Sequence, residues 1–135
     1  MIEHETEICI PFHDVDMMQI TWHGHYVRYL EIARCELLDK IDYNYLQMFA
    51  SGYSWPVIDM RLRYVKSSAF GDRIRIVSRL VESEFRLKID YVIYNAESGE
   101  RLTKAHTVQV AVDMQSGEMC YPCPDILAQK LAAVA

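Results

Sequence analysis

From Gly24 to Ile41 apolar side chains recur at helical spacing: Tyr26, Leu30, Ala33 and Leu37 form one stripe, and Val27, Ile32, Leu38 and Ile41 widen it. A helix apolar around so much of its circumference needs enclosure, which predicts a central element rather than a surface one. The rest of the chain must supply the enclosing surface. Downstream, four alternating segments near Trp55 to Lys66, Arg73 to Glu82, Arg86 to Asn95 and Arg101 to Met114 read as an antiparallel meander. In the second, Ile74, Ile76 and Leu80 oppose Arg73, Arg75 and Arg79; in the third, Leu87, Ile89, Tyr91 and Ile93 oppose Arg86, Lys88 and Asp90. One sheet face is therefore apolar and the other charged. A short strand from Glu7 to Phe12, a helical turn from Tyr43 to Ala50 and a terminal helix from Pro124 to Val134 complete the pattern, with turns at Ser51-Gly52, Phe70-Gly71-Asp72 and Glu97-Ser98-Gly99-Glu100. The simplest packing is an α+β fold in which a curved antiparallel sheet wraps the long helix. Its edge strands would expose unpaired backbone groups, so a homodimer or homotetramer is expected.

With 135 residues and 51% hydrophobic content the chain suffices for one core, hence a single domain over residues 1–135. A net charge of −5 argues against general affinity for nucleic acid or an anionic membrane and leaves room only for local basic patches. The acidic start, Met1-Ile2-Glu3-His4-Glu5-Thr6-Glu7, has no apolar signal core, and no apolar run approaches the roughly 20 residues that span a bilayer. A cytoplasmic protein without membrane insertion is expected. Four cysteines then read as reduced thiols, Cys9 and Cys35 packing as small apolar groups. Cys120-Tyr121-Pro122-Cys123 has redox-dithiol spacing, but it lies near the chain end rather than after an early strand of a strand-helix-strand unit, which opposes that use.

Chemistry concentrates where the first strand meets the long helix, in Phe12-His13-Asp14-Val15-Asp16-Met17-Met18-Gln19-Ile20-Thr21-Trp22-His23-Gly24-His25-Tyr26. A loop there can turn Asp14, Asp16, His23 and His25 toward a ligand. Asp before a helix is commonly a turn or capping residue, and a lone His is commonly a hydrogen-bonded, half-buried one. A metal site is the weaker alternative, since no Cys or His-rich spacing supports it.

The order Phe-x-Asp-x-Asp, seven residues to a His, then Tyr-Leu-Glu-x-Ala-Arg resembles the 4-hydroxybenzoyl-CoA thioesterase-like family of hotdog-fold acyl-thioesterases. Trp55-Pro56-Val57, Tyr64-Val65-Lys66, Ala69-Phe70-Gly71-Asp72 before Arg73-Ile74-Arg75-Ile76, and Phe85-Arg86-Leu87-Lys88-Ile89 continue the resemblance, which covers about residues 6 to 114. It implies the hotdog fold and makes Asp16 the catalytic carboxylate, as general base or nucleophile. His23 and Gly24 then open the helix beside the scissile thioester, where free N–H groups can polarise its carbonyl. The resemblance leaves Asp14 a structural role. Two departures stand out: Met17-Met18, where relatives place small residues, expected to reshape the acyl pocket, and His25, where Asn or Ser is frequent.

Acyl-CoA or an acyl-carrier-protein thioester is thus the expected substrate, with no cofactor and no metal. Tyr43, Tyr45, Phe49, Tyr53 and Trp55 are aromatic candidates for an acyl or aryl pocket, of which Tyr53 and Trp55 are preferred, and Arg86 and Lys88 are candidates for the phosphates of coenzyme A. Two rival readings use the same fold: a dehydratase acting on 3-hydroxyacyl thioesters, for which no second His and carboxylate pairing is evident, and a non-catalytic acyl-thioester-binding protein.

Overall fold

A computed structural model describes residues 2–135. In chain order it contains β1 (Glu3–Cys9), a 3-10 turn (Phe12–Asp14), α1 (His25–Lys40), α2 (Tyr45–Ala50), β2 (Tyr53–Ser54), β3 (Val57–Tyr64), β4 (Arg73–Glu82), β5 (Leu87–Asn95), β6 (Arg101–Gln109), β7 (Val112–Asp113) and α3 (Asp125–Val134). Five strands form one antiparallel sheet in the order β1-β4-β5-β6-β3, while β2 and β7 pair separately. The long helix α1 lies against β1 and β4.

Alternation in β4 and β5 orients the sheet as expected. Ile74, Ile76, Leu80, Leu87, Ile89 and Ile93 are buried beneath α1, and Arg73, Arg79 and Asp90 are exposed on the far face. Tyr26, Leu30, Ala33, Leu37, Leu38 and Ile41 fill the helix side of this core. The enclosure is one-sided: Val27 is only partly buried and Ile32 is 39% exposed, so the wider apolar band does not mean burial all round. Arg34 extends the buried face instead, its Nε donating to the Tyr45 hydroxyl at 2.6 Å.

Other expectations need correction. The first strand is Glu3–Cys9 rather than 7–12, because Pro11 precedes a 3-10 turn, and its acidic residues, which conceal the strand, pair with arginines on β4: Arg79–Glu3 at 2.8 Å, Arg75–Glu5 at 3.6 Å and Arg73–Glu7 at 2.8 Å. Only β4, β5 and β6 form the meander; β3 pairs with β6 and becomes an edge, and β1 takes the place beside β4. The segment 101–114 divides into β6 and β7, since β7 leaves the main sheet to pair with β2. Cys9 and Cys35 are exposed, because Cys9 falls on the outer side of an edge strand and Cys35 on the open side of α1.

Candidate active site

Between β1 and α1 the chain makes a compact loop, clamped at several points. The Asp14 carbonyl accepts from the Trp22 N–H at 3.0 Å, and Asp16 N–H donates to the Ile20 carbonyl at 2.9 Å. Gln19 closes this inner turn in the left-handed region at φ 65°. Residues 68–72 hold the loop from outside: Thr21 N–H donates to the Ser68 carbonyl at 2.7 Å, and the Ser68 hydroxyl lies 2.7 Å from both the Thr21 and Tyr26 hydroxyl oxygens. Gly71, at φ 84°, permits the bend that returns its N–H to the Ile10 carbonyl at 3.0 Å.

The two aspartates separate sharply. Asp14 is 1% exposed, and its Oδ2 accepts from Arg28 and, at 2.5 Å, from the Tyr29 hydroxyl. Burial alone would raise this carboxyl, but the hydrogen bonds from Tyr29 and Arg28, with the charge of Arg28, outweigh it and hold the group below its ordinary range. On Tyr29 burial and Asp14 act together and push the phenol far up. Asp16 is exposed, and its Oδ1 accepts from the Met18 N–H at 2.8 Å, which fixes the carboxylate and leaves Oδ2 open. It lines a cleft of about 540 Å³ with Phe12, His13, Val15, Gln19, Ala69 and Phe70. Phe12 and Phe70 meet edge to face at 5.6 Å on its apolar wall.

Gly24 precedes α1 without a side-chain cap. Among the described residues the backbone N–H groups of His23 and Gly24 donate to no backbone or side-chain partner, so two donors at the positive end of the helix dipole are unpaired. Trp22 covers this start: a Cβ on Gly24 would lie 2.3 Å from its ring. The indole is flanked by His23 at 5.3 Å and His25 at 5.2 Å. Tyr64 at the end of β3 donates to the His23 carbonyl at 2.9 Å.

Of the residues singled out in sequence, Asp16, His23 and Gly24 lie on this one loop, and of the three only Asp16 lines the cleft. Met17 and Met18, 100% and 77% exposed, project from its tip without lining the cleft. Tyr53 sits in β2, and Trp55 is buried against Tyr43, so neither joins the cleft within one chain. Arg86 donates to Glu82 at 2.8 Å, whereas Lys88 faces a separate groove on the charged sheet face with Arg61, Arg63 and Lys104. Cys123 is buried, and burial, with Cys120 and Glu82 nearby, raises its thiol to about 11, which opposes dithiol chemistry. Tyr64 and Phe70 carry the family resemblance, but neither they nor Ser68 is a site candidate in the sequence. All three lie forty or more residues beyond the loop, and strand pairing, not local pattern, brings them to it.

A long helix packed on a five-stranded antiparallel sheet is the hotdog architecture of acyl-thioester hydrolases. Residues 10–131 match the Thioesterase-like superfamily, and the chain belongs to it. A Bacillus subtilis protein with the provisional name acyl-CoA thioesterase YneP is 30% identical over 112 residues, 82% of this chain and 80% of that one. The 1,4-dihydroxy-2-naphthoyl-CoA hydrolase of Thermosynechococcus vestitus is 28% identical over 122 residues, 87% of this chain and 81% of that one. Among solved structures, a DHNA-CoA thioesterase from Staphylococcus aureus superposes with TM-score 0.86 at 25% identity, covering 99% of this chain and 91% of that one. No helix of the described residues is long and apolar enough to cross a membrane.

Proposed function

We propose that this protein hydrolyses an acyl thioester to a free acid and a thiol, with Asp16 as general base or nucleophile and the N–H groups of His23 and Gly24 polarising the thioester carbonyl. The observation that carries the reading is the open Asp16 carboxylate in an apolar cleft, on the same loop as an uncapped helix start. An acyl group lies against Phe12, Val15 and Phe70, its carbonyl carbon reaches Asp16, and charge developing on its oxygen meets fixed donors. Met17 and Met18 add apolar surface at the rim.

The acyl group is carried on coenzyme A or on the phosphopantetheine of a carrier protein; the names of the two curated relatives favour coenzyme A. Lys88 meets the carrier's phosphates from the basic sheet face, and Arg86 joins it by exchanging Glu82 for a phosphate. Association through the open β3 edge completes the site and brings Tyr53 of a second copy toward the acyl group, whereas Trp55 stays in the core of its own chain. Thiol release from a panel of acyl-CoA and acyl-carrier-protein thioesters tests the activity. Asp16→Ala is expected to lower kcat by about 10²- to 10⁴-fold with the fold retained. An undiminished rate in that variant removes Asp16 from the mechanism.

A further inference from the structure

Asp14 has one carboxylate oxygen too many for its known partners. Oδ2 is held by Arg28 and Tyr29, but Oδ1 is buried without a hydrogen bond among the described residues. A buried, unpaired carboxylate oxygen is costly, so what lies near it matters. Two imidazoles do: Nε2 of His13 at 3.6 Å and Nε2 of His25 at 3.9 Å. Only His13 lines the cleft, where it and Asp16 are the ionisable members of the lining. Its side chain is 80% exposed, so no packing role explains its position.

We propose that His13 is a second catalytic residue of this cleft, the proton donor to the departing thiolate, and that Asp14 is the positioning residue that orients its ring. The inference rests on the thioester-hydrolysis reading above. A base or nucleophile backed by an oriented imidazole and a third orienting group is the recurring arrangement for acyl transfer. At 3.6 Å the Asp14–His13 contact is longer than a hydrogen bond, and such contacts often tighten only when substrate is bound.

The proton and electron balance closes by either route open to Asp16. In the general-base route, Asp16 takes a proton from water as the water oxygen bonds to the carbonyl carbon, and the carbonyl pair moves onto the oxygen facing His23 and Gly24. Collapse reforms the carbonyl and breaks the C–S bond; sulfur leaves with the bonding pair and takes the proton of protonated His13. Asp16 returns its proton to His13 through solvent, so one water is consumed and one acid and one thiol depart. In the nucleophilic route, an Asp16 oxygen bonds to the carbon and the thiol again leaves with the His13 proton. Neutral His13 then accepts a proton from the water that cleaves the anhydride.

A leaving-group comparison tests this, with the acyl group hydrolysed fastest in the panel attached either to coenzyme A or to para-nitrothiophenol, whose thiolate departs without a proton. His13→Gln should lower kcat on the coenzyme A thioester about 10²-fold with KM little changed, and the loss should shrink to within about threefold on the nitrophenyl thioester. Asp14→Asn should show the same substrate pattern at smaller amplitude. A merely structural role would slow both esters alike, and that outcome, or no loss on either, overturns the assignment while leaving Asp16 in place. A wild-type protein inactive on every thioester overturns both readings.

Discussion

The Tyr29 hydroxyl donates to the buried carboxylate of Asp14 at 2.5 Å, tying the second turn of α1 to the loop that carries Asp16. The bond joins two almost fully buried groups, so water cannot replace it when one partner is removed. Tyr29→Phe is therefore expected to destabilise the fold by about 1.5–3 kcal/mol, the range for hydrogen bonds to charged groups. A urea midpoint that does not move would show that Arg28 alone satisfies Asp14.

Acid should probe the same carboxylate. Its folded-state pKa is depressed below the ordinary aspartate value, so the stability it contributes is fully present above the unfolded value and is lost as pH falls below about 4 toward the folded value. In the wild type part of the acid-induced loss of stability below that pH comes from Asp14, and Asp14→Asn, already destabilised at neutral pH, should lose less on further acidification. Denaturation curves recorded from neutral to acid pH for both proteins check the sign. An unchanged difference between them across the acid range would contradict the linkage.

Much of the fold is legible in the sequence because two periodicities carry it. The alternation of isoleucines and arginines in 73–82 and the helical stripe from Tyr26 to Ile41 both report which side meets the core. Strand order is not legible this way. Nothing local distinguishes a β3 that pairs with β4 from one that pairs with β6, and β1 reads as polar until its glutamates meet arginines on β4. The site divides similarly: Asp16, His23 and Gly24 lie on one continuous segment, whereas Phe70 reaches the cleft only because the bend before β4 folds back onto Ile10. His13 stood within the motif, yet its meaning depends on an unpaired oxygen of Asp14 that no sequence pattern displays.

Gly24 offers a test of the helix start that separates space from backbone strain. Its φ of −64° suits any residue, but a Cβ there would meet the Trp22 ring at 2.3 Å. Trp22 is 48% exposed and its ring is free to swing outward, so Gly24→Ala should change stability by less than about 1 kcal/mol while displacing the indole. Trp55 is buried and should be unaffected, so a change in tryptophan emission without a shift in melting temperature reports Trp22. Activity should fall as well, since the indole and its flanking imidazoles border the proposed carbonyl site. Unaltered emission would mean that the helix start relaxes instead.

The two edges of the main sheet differ in a way that bears on assembly. On β1, Glu3, Glu5 and Glu7 place charge along the edge strand, each paired with an arginine of β4, and charged edges resist pairing with another chain. At β3 the neighbouring apolar surface is open: Val57 is 37% exposed, Ile58 59% and Tyr64 44%. Tyr64 also bonds the His23 carbonyl, so a copy bound along β3 would lie next to the proposed site. The protein is expected to be at least a dimer through β3, and Ile58→Lys should weaken it by placing a charge in the contact. Light scattering across a dilution series, with thiol release measured on the same samples, should show mass and specific activity falling together in the variant. A stable wild-type monomer with full activity would reject both the β3 contact and a site shared between copies.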